Sequence, residues 1–341
     1  MYYAGLDIAS KESFLYVQNR KGGKVEGRPI FSTRQTIKEA FKKYDHRQIE
    51  VAIEAGGSTR WIYDTLKAMG IRVYVVNPNK VKAIAESKRK TDKIDAKLLS
   101  DLLRLGALPQ EVIMAEGQAR QLRDLIQARQ KVIDGYTNLM NYLRGLLRQE
   151  GISLPARAFN STETFLKLLK NRLPEHVRQI IIRYSELFVK MVEEKNNIEQ
   201  KILHYDNADI ALMKTLPGIG EISSRTINAA IGCIKRFDRA KKLTSYGGLV
   251  PTVRSSGEHT EYGHITREGR SEIRRVAIQC AHALLRSKSV ESLPLRKWFE
   301  NIAMRRGART AVVALARKML TIMFYMLRDK KPYDYRLLTV N

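Results

Sequence analysis

The sequence predicts an α/β domain followed by a mostly all-α remainder, and three observations carry that reading. Over the first ninety or so residues short apolar runs alternate with amphipathic ones. From Gln118 onward the apolar positions recur at helical spacing, and acidic residues close two of the early apolar runs.

In chain order, Tyr2 to Ile8 and Ser13 to Val17 read as strands, and Lys24 to Ile30 as a third after the turn Lys21-Gly22-Gly23. Thr33 to Lys43 reads as a helix, Ile49 to Ile53 as a buried strand, Ser58 to Met69 as a helix and Ile71 to Val76 as another strand. The first strands are expected to pair as antiparallel hairpins and the later ones to follow parallel βαβ logic. Ile94, Leu98, Leu99, Leu102 and Leu103 then place a helix over Asp92 to Arg104.

The charge balance narrows the partner. Lys and Arg number 61 against 35 Asp and Glu, a formal net charge of +26 over 341 residues. Such an excess favours a polyanion, because each phosphate neutralised releases condensed counterions; nucleic acid is the first expectation. An anionic membrane surface is the rival, but no polybasic block sits beside an anchor. Cys233 and Cys280 supply neither a disulfide framework nor a Cys-rich zinc spacing, which suits a reducing compartment. The start of the chain lacks a basic segment followed by a long apolar one, and the apolar stretch Ala311 to Leu327 is interrupted by Arg317 and Lys318. The expectation is a cytoplasmic protein without a membrane partner, that stretch being a buried or oligomer-facing helix.

Four acids stand at informative places. Asp7 ends the first apolar strand and Glu54 ends Val51-Ala52-Ile53-Glu54, and strand ends are where sites assemble in open α/β sheets. Asp92 and Asp95, three residues apart, share a helix face, where lysines, a divalent metal or plain solvent can compensate them. If the strands of Asp7 and Glu54 are neighbours and the helix crosses the same edge, the four carboxylates converge. An oxygen-rich cluster of that kind suits Mg²⁺ or Mn²⁺, and paired ions form the usual clamp for phosphodiester displacement. Taken singly, Asp7 is equally a strand-end cap and Glu54 a turn residue.

Farther along, Gln118 to Gln149, Thr162 to Leu169 and Pro174 to Tyr205 read as helices, the last long and apolar enough for an antiparallel hairpin or a coiled-coil dimerisation arm. Leu216-Pro217-Gly218-Ile219-Gly220 ahead of Glu221 to Ile231 resembles a helix-hairpin-helix, in which amides around Gly218 and Gly220 hold a phosphate without reading bases. A structural αα turn is the competing reading. Ser255-Ser256-Gly257 lies in an expected loop with Arg254, Arg267, Arg270, Arg274 and Arg275 around it, cations able to meet a phosphate. From the residues alone the Ser-Gly pair is an ordinary turn. Ser287 to Met304 and Ala308 to Arg328 complete the helices.

In order, Gly5-Leu6-Asp7-Ile8-Ala9, Ile53-Glu54-Ala55, Tyr74-Val75-Val76-Asn77-Pro78 and Lys90-Thr91-Asp92-Lys93-Ile94-Asp95-Ala96 resemble the DEDD domain of the insertion sequence one-ten family of transposases. That family is related to the Piv DNA invertase and has a RuvC-like (ribonuclease H-like) fold. Gly248-Leu249-Val250-Pro251, Ser256-Gly257, Gly263-His264-Ile265-Thr266-Arg267-Glu268-Gly269 and Ile273-Arg274 are similar to the family's C-terminal domain.

The resemblance implies a RuvC-like domain over residues 1–150, a helical coiled-coil and dimerisation region over 151–208, and a mostly helical transposase domain over 209–341. It implies that Asp7, Glu54, Asp92 and Asp95 bind Mg²⁺ and that Ser256 attacks DNA to give a phosphoserine intermediate. Gly218, Gly220, Arg254, Arg267 and Arg274 would contact nucleic acid. Donor and target DNA, a structured non-coding guide RNA, and a homodimer assembling to a tetramer are the implied partners. A RuvC-like nuclease using activated water, such as a junction resolvase, is the alternative, and a scaffold that binds RNA without catalysis is a third reading.

Overall fold

A computed structural model describes residues 1–84, 91–154, 167, 173–256 and 259–338. The chain divides into two compact units, Met1–Ala115 and Glu116–Asn341. The division falls before the long helix that opens the second unit. The expected helix over 162–169 lies, apart from Lys167, outside the described residues.

The first unit is built on a five-stranded sheet in the order β3-β2-β1-β4-β5. Strands β1 (Tyr2–Asp7), β2 (Glu12–Asn19) and β3 (Lys24–Phe31) form antiparallel pairs, while β4 (Ile49–Glu54) lies parallel to β1 and β5 (Arg72–Val76) parallel to β4. The parallel steps follow from the helices between strands, α1 (Arg34–Lys42) and α2 (Thr59–Ala68), since a parallel return needs a crossover.

Alternation along the strands divides the core. Ala4, Leu6, Leu15, Val17, Val51 and Ile53 pack in one cluster with Ile37 and Phe41 of α1 and Ile62 and Leu66 of α2. The opposite face gives Ala52 and Val76, which pack with Val81 of the short helix α3 (Pro78–Lys82) and with Leu99, Leu102 and Leu103 of α4 (Asp92–Arg104). A buried polar set fixes that helix to the sheet. The Ser100 hydroxyl donates to Tyr3 O (2.9 Å), and Gln18 Nε2 donates to Ser100 Oγ (2.8 Å) and to Asp101 Oδ1 (3.0 Å).

In the second unit, α5 (Gly117–Gln149) and α6 (Glu175–Leu203) pack as an antiparallel pair. Leu122 and Ile126 near the start of α5 meet Ile198 and Ile202 near the end of α6, while Leu139, Leu143 and Leu147 meet Val177, Ile181 and Phe188. Of the stretch expected as an antiparallel hairpin or a dimerisation arm, Val177, Ile181, Phe188, Ile198 and Ile202 are buried, while Leu187 is exposed.

Then come α7 (Ala208–Lys214), α8 (Glu221–Ile231), α9 (Ala240–Tyr246), the hairpin of β6 (Pro251–Ser256) and β7 (His259–Ile265), α10 (Ser271–Arg286), α11 (Leu293–Arg306) and α12 (Ala308–Asp329). The expected helix from Ser287 starts later because Val290–Ser292 forms a 3₁₀ turn, after which Pro294 occupies the first turn of α11. Helix α12 is long and apolar enough to cross a membrane by length and composition, but its apolar residues, among them Leu315, Met319, Leu320, Met323 and Phe324, form the core of this unit.

Candidate functional site

The sheet brings two of the four expected acids together. Gly5 pairs with Ala52 and Leu6 with Ile53 across β1 and β4, so Asp7 and Glu54 close adjacent parallel strands at the same edge. Asp7 has the parity of Gly5, which packs on Ala96, and Glu54 that of Ala52, so both belong to the face covered by α4. Residues 7–10 and 54–58 line a single cleft of about 260 Å³.

The loops that form this cleft are tied by hydroxyls. Ser32 Oγ donates to Ala9 O (2.8 Å) and shares a hydrogen bond with Ser13 Oγ (2.7 Å). On the other wall Thr59 Oγ1 donates to Glu54 O (2.7 Å) and accepts from Gly56 N (2.6 Å).

Helix α4 runs antiparallel to β1, because Ser100 meets Tyr3 while Ala96 meets Gly5. From Ser100 to Asp92 the helix advances about 12 Å, and from Tyr3 to Asp7 the strand advances about 13 Å, so Asp92 and Asp95 arrive at the edge that carries Asp7. The Thr91 side chain caps the helix by accepting from Ile94 N (3.3 Å), and both aspartates stand in its first turn, where the helix dipole favours negative charge. Asp92 is exposed and Asp95 half-buried. Among the described residues no three His, Cys, Asp or Glu side chains are grouped closely enough to hold a metal ion. The carboxylates therefore share an edge without closing on a common point. Asp7 and Glu54 line the cleft, and as hard oxygen donors the four carboxylates are of the type that suits a divalent cation of the Mg²⁺ or Mn²⁺ kind.

The second expected centre lies on the β6–β7 hairpin. Ser256, expected in a loop, is the last residue of β6, opposite His259 in the register, at the tip. Arg254 is on the same strand. The hairpin is held at its feet. Thr266 N donates to Val250 O (2.9 Å), Arg267 N to Gly248 O (3.3 Å) and Arg270 N to Tyr246 O (2.7 Å). Gly248 has φ +64°, and a Cβ there would stand 2.3 Å from Glu268 O. Arg274 Nη1 donates to Gly247 O and Arg267 O (3.2 Å each), so it braces the hairpin base. Arg267 itself adopts a left-handed backbone, φ 55°.

The glycine turn between α7 and α8 is tightly packed. Gly218 has φ +88°, and a Cβ there would stand 2.5 Å from Cys280 O and 2.8 Å from Leu284 N of α10. Gly220 is the exposed N-cap of α8, and its N–H donates to Ser223 Oγ (3.3 Å).

Sequence reasoning missed a cluster of cations on Tyr246. The Arg236 guanidinium lies over the Phe237 and Tyr246 rings (4.5 and 4.4 Å to the centroids). Arg270 Nε donates to the Tyr246 oxygen (3.0 Å), and Tyr246 in turn donates to Ala230 O (3.4 Å), an acceptor shared with Arg123 Nη2 (3.4 Å). Arg270 stood among the basic residues near the Ser-Gly pair, but nothing in the pattern joins it to residues 123 and 236.

A mixed sheet with two acids at adjacent strand ends, two more in the first turn of the helix that crosses the sheet, and a largely helical second unit are the features that comparison with known proteins assigns to a family. Residues 4–152 match the model of the DEDD transposase of IS110, and residues 210–294 that of the transposase IS116/IS110/IS902 family. The chain belongs to the IS110 family of transposases.

It is 28% identical to the transposase for insertion sequence element IS1111A of Coxiella burnetii, over 83% of this chain and 79% of that protein. It is 22% identical to the transposase for insertion sequence element IS1328 of Yersinia enterocolitica, over 80% of this chain and 81% of the relative. The pilin gene-inverting protein of Moraxella bovis is 25% identical over 86% of this chain and 84% of its own length. Family membership makes the chain an enzyme that cleaves and rejoins DNA, and a DEDD domain implies use of a divalent metal.

Proposed function

We propose that this transposase breaks and rejoins DNA through a phosphoserine at Ser256. The observation that carries the reading is the position of Ser256 at the tip of a two-stranded hairpin whose base is braced by Arg274, Gly248 and Arg267. The Ser256 hydroxyl attacks the scissile phosphorus, an O–P bond to the serine forms, and the bond from phosphorus to a deoxyribose oxygen breaks. The serine proton is lost to solvent or a nearby base, and the departing oxygen takes up a proton. Attack by a new strand's hydroxyl reverses these steps and frees the serine.

Asp7, Glu54, Asp92 and Asp95 would hold Mg²⁺ or Mn²⁺, which supplies charge neutralisation at the phosphate. The carboxylates' own task would be to stand along one sheet edge and position that charge. The enzyme would act as a homodimer that pairs into a tetramer. A structured non-coding RNA from the element would select donor and target DNA. Gly218, Gly220, Arg254 and Arg267 would contact backbone phosphates, and Arg274 would act by bracing the hairpin. The enzyme would work in the cytoplasm.

Trapping decides the mechanism. Denaturing electrophoresis with labelled element-end DNA is expected to show a covalent protein–DNA adduct that disappears in Ser256→Ala and survives in Ser255→Ala. Cleavage that persists in Ser256→Ala with no adduct in the parent would sink the phosphoserine and leave a RuvC-like nuclease using water.

A further inference from the structure

We propose that Arg236, Arg270 and Arg123, gathered on Tyr246, form a seat for a backbone phosphodiester of a nucleic-acid strand at the foot of the β6–β7 hairpin. The inference rests on the family's action on DNA, and neither on Ser256 nor on the four acids.

The seat is assembled from three parts of the sequence. Arg123 comes from α5, Arg236 from the 3₁₀ turn Ile234–Arg236, and Arg270 from the N-cap of α10. Tyr246, the last residue of α9, supports Arg236 and Arg270 directly and shares the acceptor Ala230 O with Arg123. Each guanidinium is fixed by one part and leaves further N–H groups. Arg236 is fixed by stacking on two rings, Arg270 by Nε on the phenol oxygen, and Arg123 by Nε on Ala229 O (2.7 Å) and Nη2 on Ala230 O. Planar forks held in this manner match the oxygens of a phosphate.

Charge points the same way. Among the described residues none of the three guanidiniums is ion-paired with a carboxylate, and Glu272 is the acid whose charge reaches Arg123. Two groups of opposite type register the same field. Burial would push the Tyr246 phenol up, but Arg270 and then Arg236 bring it below its ordinary value. Burial, then Arg270, lower the Arg123 guanidinium, with Arg236 adding and Tyr246 and Glu272 opposing. Three half-buried cations held together in this way carry an uncompensated positive potential, which a bound anion relieves. The hairpin fixes where that anion sits. Arg270 N and Tyr246 O are bonded to each other directly below the strands, and β6 extends about 17 Å from Pro251 to Ser256. A strand contacting the tip would reach the seat with a phosphate several nucleotides away.

The test uses the full chain in EDTA, so that binding is measured without cleavage. The probes are a mixed-sequence DNA duplex and a mixed-sequence RNA strand, titrated over a range of salt. Arg236→Gln and Arg270→Gln are each expected to weaken binding roughly tenfold. Each is also expected to flatten the plot of log affinity against log salt by about 0.9 for duplex or about 0.7 for single-stranded RNA. Loss with the duplex alone assigns the phosphate to DNA, loss with RNA alone assigns it to RNA, and loss with both makes the seat general.

Folded variants that bind both probes with parental affinity and slope would overturn the proposal. Should the variants fail to fold, phenylglyoxal modification of the parent protein decides. Protection of Arg236 and Arg270 by nucleic acid supports the seat, and equal modification with and without it overturns the seat. None of these readouts depends on formation of a serine adduct.

Discussion

Gly5 of β1 lies so close to Ala96 of α4 that a Cβ on the glycine would stand 1.9 Å from Ala96 O and 2.7 Å from Ser100 N. This contact sets the spacing between the strand that ends in Asp7 and the helix that begins with Asp92. Both contacting atoms are backbone, so neither can rotate away. Gly5→Ala is expected to lower stability by on the order of 2–3 kcal/mol through overpacking. DNA cleavage should fall further than the folded fraction does, because α4 is displaced with its acids. Thermal melts run beside cleavage assays would separate the two losses.

Removing a carboxylate from the cleft tests the metal reading without disturbing the core. Asp7→Asn and Glu54→Gln are each expected to reduce cleavage about a hundredfold or more, the equivalent of several kcal/mol of transition-state charge stabilisation. DNA binding should be retained. Chelation of the parent protein should reproduce the defect, and added Mg²⁺ or Mn²⁺ should reverse it only where all four acids are present. Cleavage by Asp7→Asn at the parental rate would remove the acids from the mechanism.

The glycine turn offers a contrast between neighbours. Gly218→Ala meets the backbone of α10 from a left-handed conformation and is expected to cost on the order of 2–3 kcal/mol. Gly220→Ala meets nothing closer than Ser223 Oγ at 3.8 Å, from an extended backbone, and should stay within about 1 kcal/mol. Urea titration of the two variants checks this. Equal losses would mean that the turn does not pack on α10 as described.

Glu26 gives the first unit an acid-sensitive clasp. Burial would raise its pKa, but Lys43 (Nζ to Oε2 2.7 Å), Arg28 (Nε to Oε1 2.5 Å) and the Tyr44 hydroxyl (2.7 Å) hold it at about 2. A pKa lower in the folded than in the unfolded chain adds stability that is complete above the unfolded value and lost as pH falls toward the folded one. The window is therefore roughly pH 4.5 down to 2. Melting temperature against pH should be flatter across that window in Glu26→Gln than in the parent. At neutral pH the variant should be less stable by about 1–2 kcal/mol, a modest loss because Lys43 and Arg28 are half exposed.

The two thiols should react at very different rates. Cys233 is exposed, whereas Cys280 is buried in the core of the second unit and its thiol is pushed up to about 11 by burial, against a weaker opposing bond to Ser223. At pH 8 a disulfide reagent is expected to label one thiol in the native protein and the second only on unfolding. Rapid native labelling of both would show that α10 does not seal Cys280.

Much of the first unit was legible in the sequence. Asp92 to Arg104 was expected as a helix and is one, with Thr91 as its cap, and strands β1 to β5 fall within a few residues of their expected runs. The central strands β1 and β4 were legible as short continuous apolar runs because they are buried on both faces, against α1 and α2 on one side and α4 on the other. The sequence marks Asp7 and Glu54 as strand ends but leaves open whether their strands are neighbours; the parallel register of β1 and β4 makes them so.

The second unit was less legible, for a physical reason. Ser255 and Ser256 carry no strand signal, and the β6–β7 hairpin is defined by clamps at its feet between residues about twenty apart. The Arg123, Arg236 and Arg270 cluster is harder still. Its members share no period: Arg236 and Arg270 meet on Tyr246, and Arg123 joins them through Ala230 O, which also accepts from the Tyr246 hydroxyl.

The boundary at 115/116 also bears on ancestry. Asp7, Glu54, Asp92 and Asp95 all precede it, while the hairpin, its braces and the arginine seat all follow it. A single crossover at that point would trade the four acids as a set between relatives and leave each hydrophobic core intact. Chimeras joined there should express as folded proteins, whereas a junction between Gly5 and Ala96 would split a contact that only a matched pair of backbones can make.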